Sequence, residues 1–201
     1  MIEENIRKQR IIDAAIEVLK ENPIEDATVR KIAAKAGLTT GAIYHHYKNK
    51  DELFFDVIRQ SLLFTHKIAE AVKDKSNTKK GGVLLSEIAS EVAKRMSKAD
   101  EQKLHVQLLN DAIARGGAIK KKYQNNYTDI INNTADLFDR AFEMQNPEYK
   151  RGIAAILVAA MDGIAMQQAL GVLPENLERM TATFISFFIE SIPIYLKKHM
   201  E

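Results

Sequence analysis

Between Thr28 and Lys50 the chain gathers hydroxyls (Thr28, Thr39, Thr40, Tyr44), two imidazoles (His45, His46) and, at its end, the ammonium groups of Lys48 and Lys50. These groups donate hydrogen bonds or carry positive charge, which suits an oxygen-rich anionic partner such as phosphates and base edges. Gly41 stands among them. In a helix it costs about 1 kcal/mol relative to alanine, and it lets a foreign backbone approach closely. Covalent chemistry has no such concentration of groups. The chain has no cysteine, and it shows no nucleophile motif, phosphate loop or clustered acid–base set. The histidines at 45, 46, 66, 105 and 199 lack the i, i+4 pairing and acidic companions of a metal site. No catalytic residue, metal site or cofactor is therefore expected.

The elements that must position this set are two short helices meeting at a glycine. Thr28 caps a helix over Val29 to Ala36, with Val29, Ile32, Ala33 and Ala36 inward, and the alanines permit a close crossing. Gly37 suits the positive φ that ends a helix, Leu38 plugs the corner, and Thr39 caps the next helix, Thr40 to Tyr47. Ile43 and Tyr47 face the core of that second helix, so Thr40, Gly41, Tyr44, His45 and His46 divide between core edge and solvent. This is the spacing of a helix-turn-helix. Asn49 and Glu52 then form a capping box. Lys48 and Lys50 beside that helix start make a phosphate clamp, opposed by Asp51 and Glu52.

In order, Thr28, Val29, Ile32, Ala33, Ala36, Gly37, Leu38, Thr39, Gly41, Ile43, Tyr44, His46, Tyr47, Lys50 and Leu53 resemble the N-terminal signature of the tetracycline-repressor (TetR) type of transcriptional regulators. The departures are modest: Lys31 stands where an acid often closes the cap, and Tyr47 where phenylalanine is usual. The resemblance covers about the first quarter of the chain. It implies that the helix after Thr39 lies in the major groove, that Thr40, Tyr44, His45 and Lys50 touch DNA, and that repression is the usual outcome. It also implies a C-terminal body that dimerises and encloses a small-molecule pocket. The full contact set expected is Thr28, Thr39, Thr40, Gly41, Tyr44, His45, His46, Lys48 and Lys50.

Composition sets the frame for the rest of the chain. Its 201 residues suit one compact body plus a small appended unit, and 46% hydrophobic residues supply a core. A net charge of +2 means that any basic surface is local. Four prolines and nine glycines separate long stretches of helical periodicity, so the fold class is all-α. Helices are predicted at about Glu4 to Lys20, Val29 to Ala36, Thr40 to Tyr47, Lys50 to Val72, Val83 to Met96, Glu101 to Ala114, Ile119 to Met144, Glu148 to Gly171 and Glu175 to His199. Residues 73–82 read as a solvated loop. The division expected is a DNA-binding head over residues 1–49 and a ligand-binding, dimerising body over 50–201, joined by the helix from about 50 to 72.

In the body, Ile156, Ala160, Ile164, Phe184, Phe187 and Phe188 give the last two helices more apolar surface than one buried stripe needs, which predicts a homodimer on a palindromic operator. Leu104, Leu108, Tyr123, Tyr127, Phe138, Phe142, Met161 and Met166 are candidate pocket walls, with His105, Asp111 and Gln167 as polar anchors. Helical apolar stripes usually mean packing, so each position has a core reading beside the ligand reading. The run Lys120 to Lys122 reads as a solvated face. Glu3 and Glu4 replace the positive start of a secretory signal, and Asp162, Gln167 and Gln168 interrupt the most apolar helix, so a cytoplasmic protein without a membrane span is expected. Two other readings stay open: an architectural DNA-binding protein that senses no ligand, and a helical enzyme.

Overall fold

The computed structural model describes residues 2–61, 89–90, 92–142 and 147–199. Every regular element among them is a helix: α1 Ile2–Glu21, α2 Val29–Ala36, α3 Thr40–His46, α4 Lys50–Ser61, α5 Ala99–Arg115, α6 Gly117–Phe142, α7 Pro147–Leu170 and α8 Leu177–His199. Each ends within a few residues of its predicted bounds where those bounds are described. The continuation of α4 toward Val72, the loop at 73–82, most of the helix expected from Val83, and His66 lie outside the described residues.

Two compact units result, residues 1–62 with 104–123, and residues 63–103 with 124–201. The first is built on α1, whose Ile11, Ile12, Ala15, Val18 and Leu19 are buried. These recur at three- and four-residue steps, which puts them on one face. Glu3 and Glu4 in the first turn and Lys20 in the last oppose the helix dipole favourably. At Pro23 the chain turns, and its carbonyl accepts from the Asp26 and Ala27 amides, both at 3.1 Å. Ile32, Ala33 and Ala36 from α2, Ile43 from α3 with its C-cap Tyr47, and Leu53, Phe54, Val57 and Ile58 from α4 complete this core.

Segment 104–123 belongs to the same unit and grips the base of α4. Arg115 Nη2 lies 2.7 Å from Asp51 Oδ1, and its Nε 3.2 Å from Asp111 Oδ2. The Lys122 ammonium sits 4.3 Å from the centre of the Phe55 ring, a contact worth about 0.5–2 kcal/mol depending on exposure. Phe55 meets Tyr123 edge to face, with centroids 5.4 Å apart. Of the lysine run, Lys120 and Lys121 are exposed and Lys122 is half-buried, so one of the three packs. The corner between α5 and α6 is made by Gly116 and Gly117, both at positive φ, where a side chain would be strained.

The second unit is organised around α6 from Gln124 onward, α7 and α8. Ala135, Phe138, Ala154, Leu157 and Ile192 form one buried cluster, with Ile153, Phe184 and Phe188 packed on it. A second cluster joins Val92, Met96 and Met161, with Ile164, Met180 and again Phe184 at its edge. Phe184 thus ties the two together. Arg95, almost wholly buried, leans on Asp162 at 3.5 Å. Its carbonyl accepts from Gln102 Nε2 at 2.9 Å. Helix α8 runs through Pro193, which forfeits one helical hydrogen bond there.

Candidate nucleic-acid interface

The turn between α2 and α3 is closed by hydrogen bonds that the local residues themselves supply. Thr28 Oγ1 accepts from the Lys31 amide at 3.3 Å, and Thr39 Oγ1 from the Ala42 amide at 3.1 Å. Each cap is worth about 1 kcal/mol. Gly37 adopts φ 63°, ψ 37°. Its amide donates to Ala34 O at 3.1 Å and that of Leu38 to Ala33 O at 2.9 Å, which satisfies carbonyls that a helix end otherwise leaves open. A β-carbon at position 37 would also meet the Arg10 guanidinium at 2.7 Å.

Helix α3 is pinned on one side and open on the other. Ile43 is buried to 1% exposure and Tyr47 to 3%. The Tyr47 hydroxyl donates to Asp56 Oδ2 at 3.3 Å. Asp56 in turn takes Lys8 Nζ at 2.7 Å and Arg59 Nε at 3.4 Å, so α1, the end of α3 and α4 share one carboxylate. Burial, then the Asp56 charge, pushes the Tyr47 phenol above its ordinary value. On the open side Thr39, Thr40, Gly41, Tyr44, His45 and Lys48 are exposed, and Tyr44 shows 55% of its surface although it is aromatic. His46 is half-buried, with its ring edge-on to His45 at 5.2 Å.

The start of α4 has the expected capping box in an altered form. Asn49 Oδ1 accepts from the Glu52 amide at 2.9 Å, while Glu52 Oε2 reaches back to the Lys48 amide at 3.0 Å. Lys50 turns inward: its ammonium donates to Ile24 O at 3.1 Å and lies 5.2 Å from the Phe54 ring centre. Lys48 stays exposed. Asp51, whose charge opposes a phosphate at this helix start, is paired with Arg115. Nothing in the local sequence announces that pairing, since the partners are far apart in the chain. Asp56 and Lys8 were likewise invisible as a pair.

The body residues singled out from the sequence fall in both units. Leu104, His105, Leu108 and Tyr123 are buried in the first, where Asp111 is half-buried against Arg115. Burial first, then the Asp111 and Asp51 charges, raises the Tyr123 phenol. In the second, Met161 and Phe138 are buried, Tyr127 is half-buried, and Met166 and Gln167 are exposed. The Phe142 side chain lies outside the described set. Ala160, Ile164, Phe184 and Phe188 are half-buried, whereas Ile156 and Phe187 are 63% and 64% exposed. Ile164, Pro174, Met180, Phe184 and Phe187 also line an open groove of about 580 Å³ with Arg179. Among the described residues no group of acids and histidines has the disposition of a metal site. One helix, Glu148–Leu170, is long and apolar enough to cross a membrane by length and composition.

Two helices at a glycine turn, the second with one buried and one polar, exposed face, define a helix-turn-helix head of the kind found in DNA-binding regulators. Residues 11–57, the N-terminal head, match the model of the bacterial regulatory proteins of the tetR family. The chain is 37% identical over 71 residues to the fatty acid metabolism regulator protein of Bacillus subtilis, a match covering 35% of this chain and 37% of that protein. It is 49% identical over 51 residues to the transcriptional regulator SrpR of Pseudomonas putida, covering 25% of this chain and 24% of the relative. These alignments span no more than about a third of the relatives' lengths. A solved structure of FadR from Bacillus subtilis, in complex with stearoyl-CoA, superposes with a TM-score of 0.71 at 18% identity, covering 92% of this chain and 98% of that one. The fold is therefore shared over that 92% of the chain.

Proposed function

We propose that this protein is a transcriptional regulator that binds a palindromic operator as a homodimer and is released from it by a small-molecule effector. The observation that carries the DNA half is the polar, exposed face of α3, Thr39, Thr40, Gly41, Tyr44 and His45, on a helix whose opposite face is locked in the core. Such a helix is rigid enough to read a groove and open enough to enter it. Thr28 and Lys48 belong to the proposed contact set, with His46 at its edge. Lys50 belongs to it only if its ammonium exchanges the Ile24 carbonyl for a phosphate, and otherwise it holds the loop before α2 in position.

The homodimer is supported by the uncovered apolar surface along α7 and α8, where Ile156, Phe187 and Ile194 stand exposed. Contiguous apolar surface of that kind marks an interaction site. In a second copy it would meet its own counterpart, giving two heads on half-sites about 34 Å apart. Ala160, Ile164, Phe184 and Phe188, half-buried on the same two helices, belong to the proposed interface. The same surface accounts for the apolar character of α7 in a soluble, cytoplasmic protein, since Asp162, Gln167 and Gln168 interrupt it.

An effector fits the body's adaptable apolar side chains, and the structurally similar FadR holds stearoyl-CoA. The candidate walls are Leu104, Leu108 and Tyr123 with His105 and Asp111 in the first unit and, taken separately, Tyr127, Met161 and Met166 with Gln167 in the second. The effector lowers affinity by as much as it prefers the conformation in which the heads are wrongly spaced. The reading needs no catalytic residue. Selection of a binding duplex from a random DNA pool, followed by titration at fixed salt with candidate effectors, tests both halves. A recovered palindrome with effector-dependent affinity is expected. Failure to enrich any duplex overturns the regulator, and an affinity that no effector changes leaves the architectural DNA-binding reading.

A further inference from the structure

Five of the ten lysines and arginines of the head are held by the head itself. Lys8 and Arg59 lie against Asp56, Lys31 donates to Asn22 Oδ1 at 2.8 Å, Lys35 is paired with Glu17 and Glu21, and Lys50 is turned to Ile24 O. Arg10 on α1 differs from these five in having its guanidinium against the Gly37 turn. It is exposed, and no carboxylate or carbonyl among the described residues takes a hydrogen bond or ion pair from it. Its position is nevertheless defined: Nη2 lies 2.7 Å, and Cζ 3.8 Å, from the point that a β-carbon on Gly37 would occupy. The guanidinium lies across the bare backbone of the turn.

That turn leads straight into α3. Gly37 is followed by Leu38 and by Thr39, the cap of α3. With consecutive Cα atoms about 3.8 Å apart, the Arg10 charge sits within roughly 10 Å of the cap. A guanidinium offers five donors in a planar fork that matches phosphate oxygens two at a time, and it keeps its charge at every working pH. Lysine in the same place would be a point charge without the fork. Left without an internal acceptor beside a helix that enters a groove, such a group has the geometry of a backbone clamp.

We propose that Arg10 is a DNA-phosphate contact: its guanidinium, held over the Gly37 turn, binds the sugar-phosphate backbone beside the groove that α3 enters. The absence of a side chain at position 37 then serves two ends, the left-handed turn and the seat of the arginine. This inference rests on the DNA-binding reading above. It adds a contact from α1, outside the turn and the start of α4.

The test is the salt dependence of binding by the full chain to a short duplex of arbitrary sequence, since a phosphate contact carries no sequence information. Arg10→Ala should weaken binding and reduce the slope of log K against log salt by about 0.9, equivalent to about threefold less affinity lost on a fourfold rise in salt. Arg10→Lys should keep the slope and recover only part of the affinity. Lys48→Ala is the reference for a lost phosphate contact, and unchanged helical circular dichroism verifies that each variant is folded. An Arg10→Ala slope equal to wild type, beside a reduced Lys48→Ala slope, overturns the proposal and leaves the arginine as a lid on the turn, with DNA binding intact. A wild-type chain that fails to bind the duplex even at low salt overturns both.

Discussion

The α2–α3 turn and the outer face of α7 and α8 differ in where their instructions are kept. At the turn every backbone requirement is met within a few residues: Thr28 and Thr39 cap, Gly37 supplies the positive φ, and Ile43 anchors. Along α7 and α8, Ile156, Phe187 and Ile194 stand exposed, outside the buried core of their own chain. On the homodimer reading their complement is a second copy. A motif that is complete in itself can be read from one sequence, whereas a face that waits for a complement declares only that it is incomplete.

Breaking the self-contained side should have the largest effect. Ile43→Ala opens a cavity in a fully buried site and should cost about 2–5 kcal/mol, seen as lost amide-exchange protection in α1 to α4 while the Phe138 cluster keeps its own. Equal loss in both units would mean that the head does not keep its own stability. On the incomplete side, the wild type should sediment as a dimer at equilibrium, and Phe187→Asp should shift it to monomer and leave helical content unchanged. Phe188 is the poorer choice, because it packs on the second unit's core and lies 4.6 Å, centroid to centroid, from Phe184. If Phe187→Asp leaves a dimer intact, the face has another complement.

Smaller changes sharpen the contrast. Tyr44→Ala removes an exposed ring and should weaken duplex binding by about tenfold, the size of one lost contact of about 1.4 kcal/mol, with thermal stability unchanged. A fall in melting temperature instead would make Tyr44 part of the core. Thr39→Ala should cost about 1 kcal/mol through the lost cap, read from chemical denaturation. The smallest effect concerns pH. Because Tyr47 and Tyr123 titrate above their ordinary value of 10.0, the stability tied to their neutral forms is complete below about pH 10 and is lost as pH rises through the folded values. Tyr47→Phe should flatten that alkaline decline, and phenolate absorbance in the wild type should rise only on unfolding.

The contrast also explains how much was legible. These eight helices were anticipated, to within a few residues wherever their bounds are described, because apolar spacing, caps, prolines and glycines are local signals. Within the head, the cap roles of Thr28, Thr39 and Asn49 and the burial of Ile43 and Tyr47 followed from position alone. What escaped was set by packing between distant segments: Lys50 bonded to the Ile24 carbonyl, Asp51 neutralised by Arg115, Asp56 shared by Tyr47, Lys8 and Arg59, and Arg10 over Gly37. Long cationic side chains can swing either way, so their sequence spacing does not fix their partners. The pocket residues were obscure for a related reason, since an apolar helical position looks the same whether it faces a neighbour or a ligand.

The carboxylate shared by Tyr47, Lys8 and Arg59 has a consequence for timing. With the end of α3 fastened to α1 and α4, the reading helix arrives at its target already ordered and has little conformational entropy left to lose on docking. Encounter should then be limited by diffusion and charge steering rather than by folding on the surface. Discrimination between sequences would fall to dissociation: wrong sites are released quickly, and the right one is held.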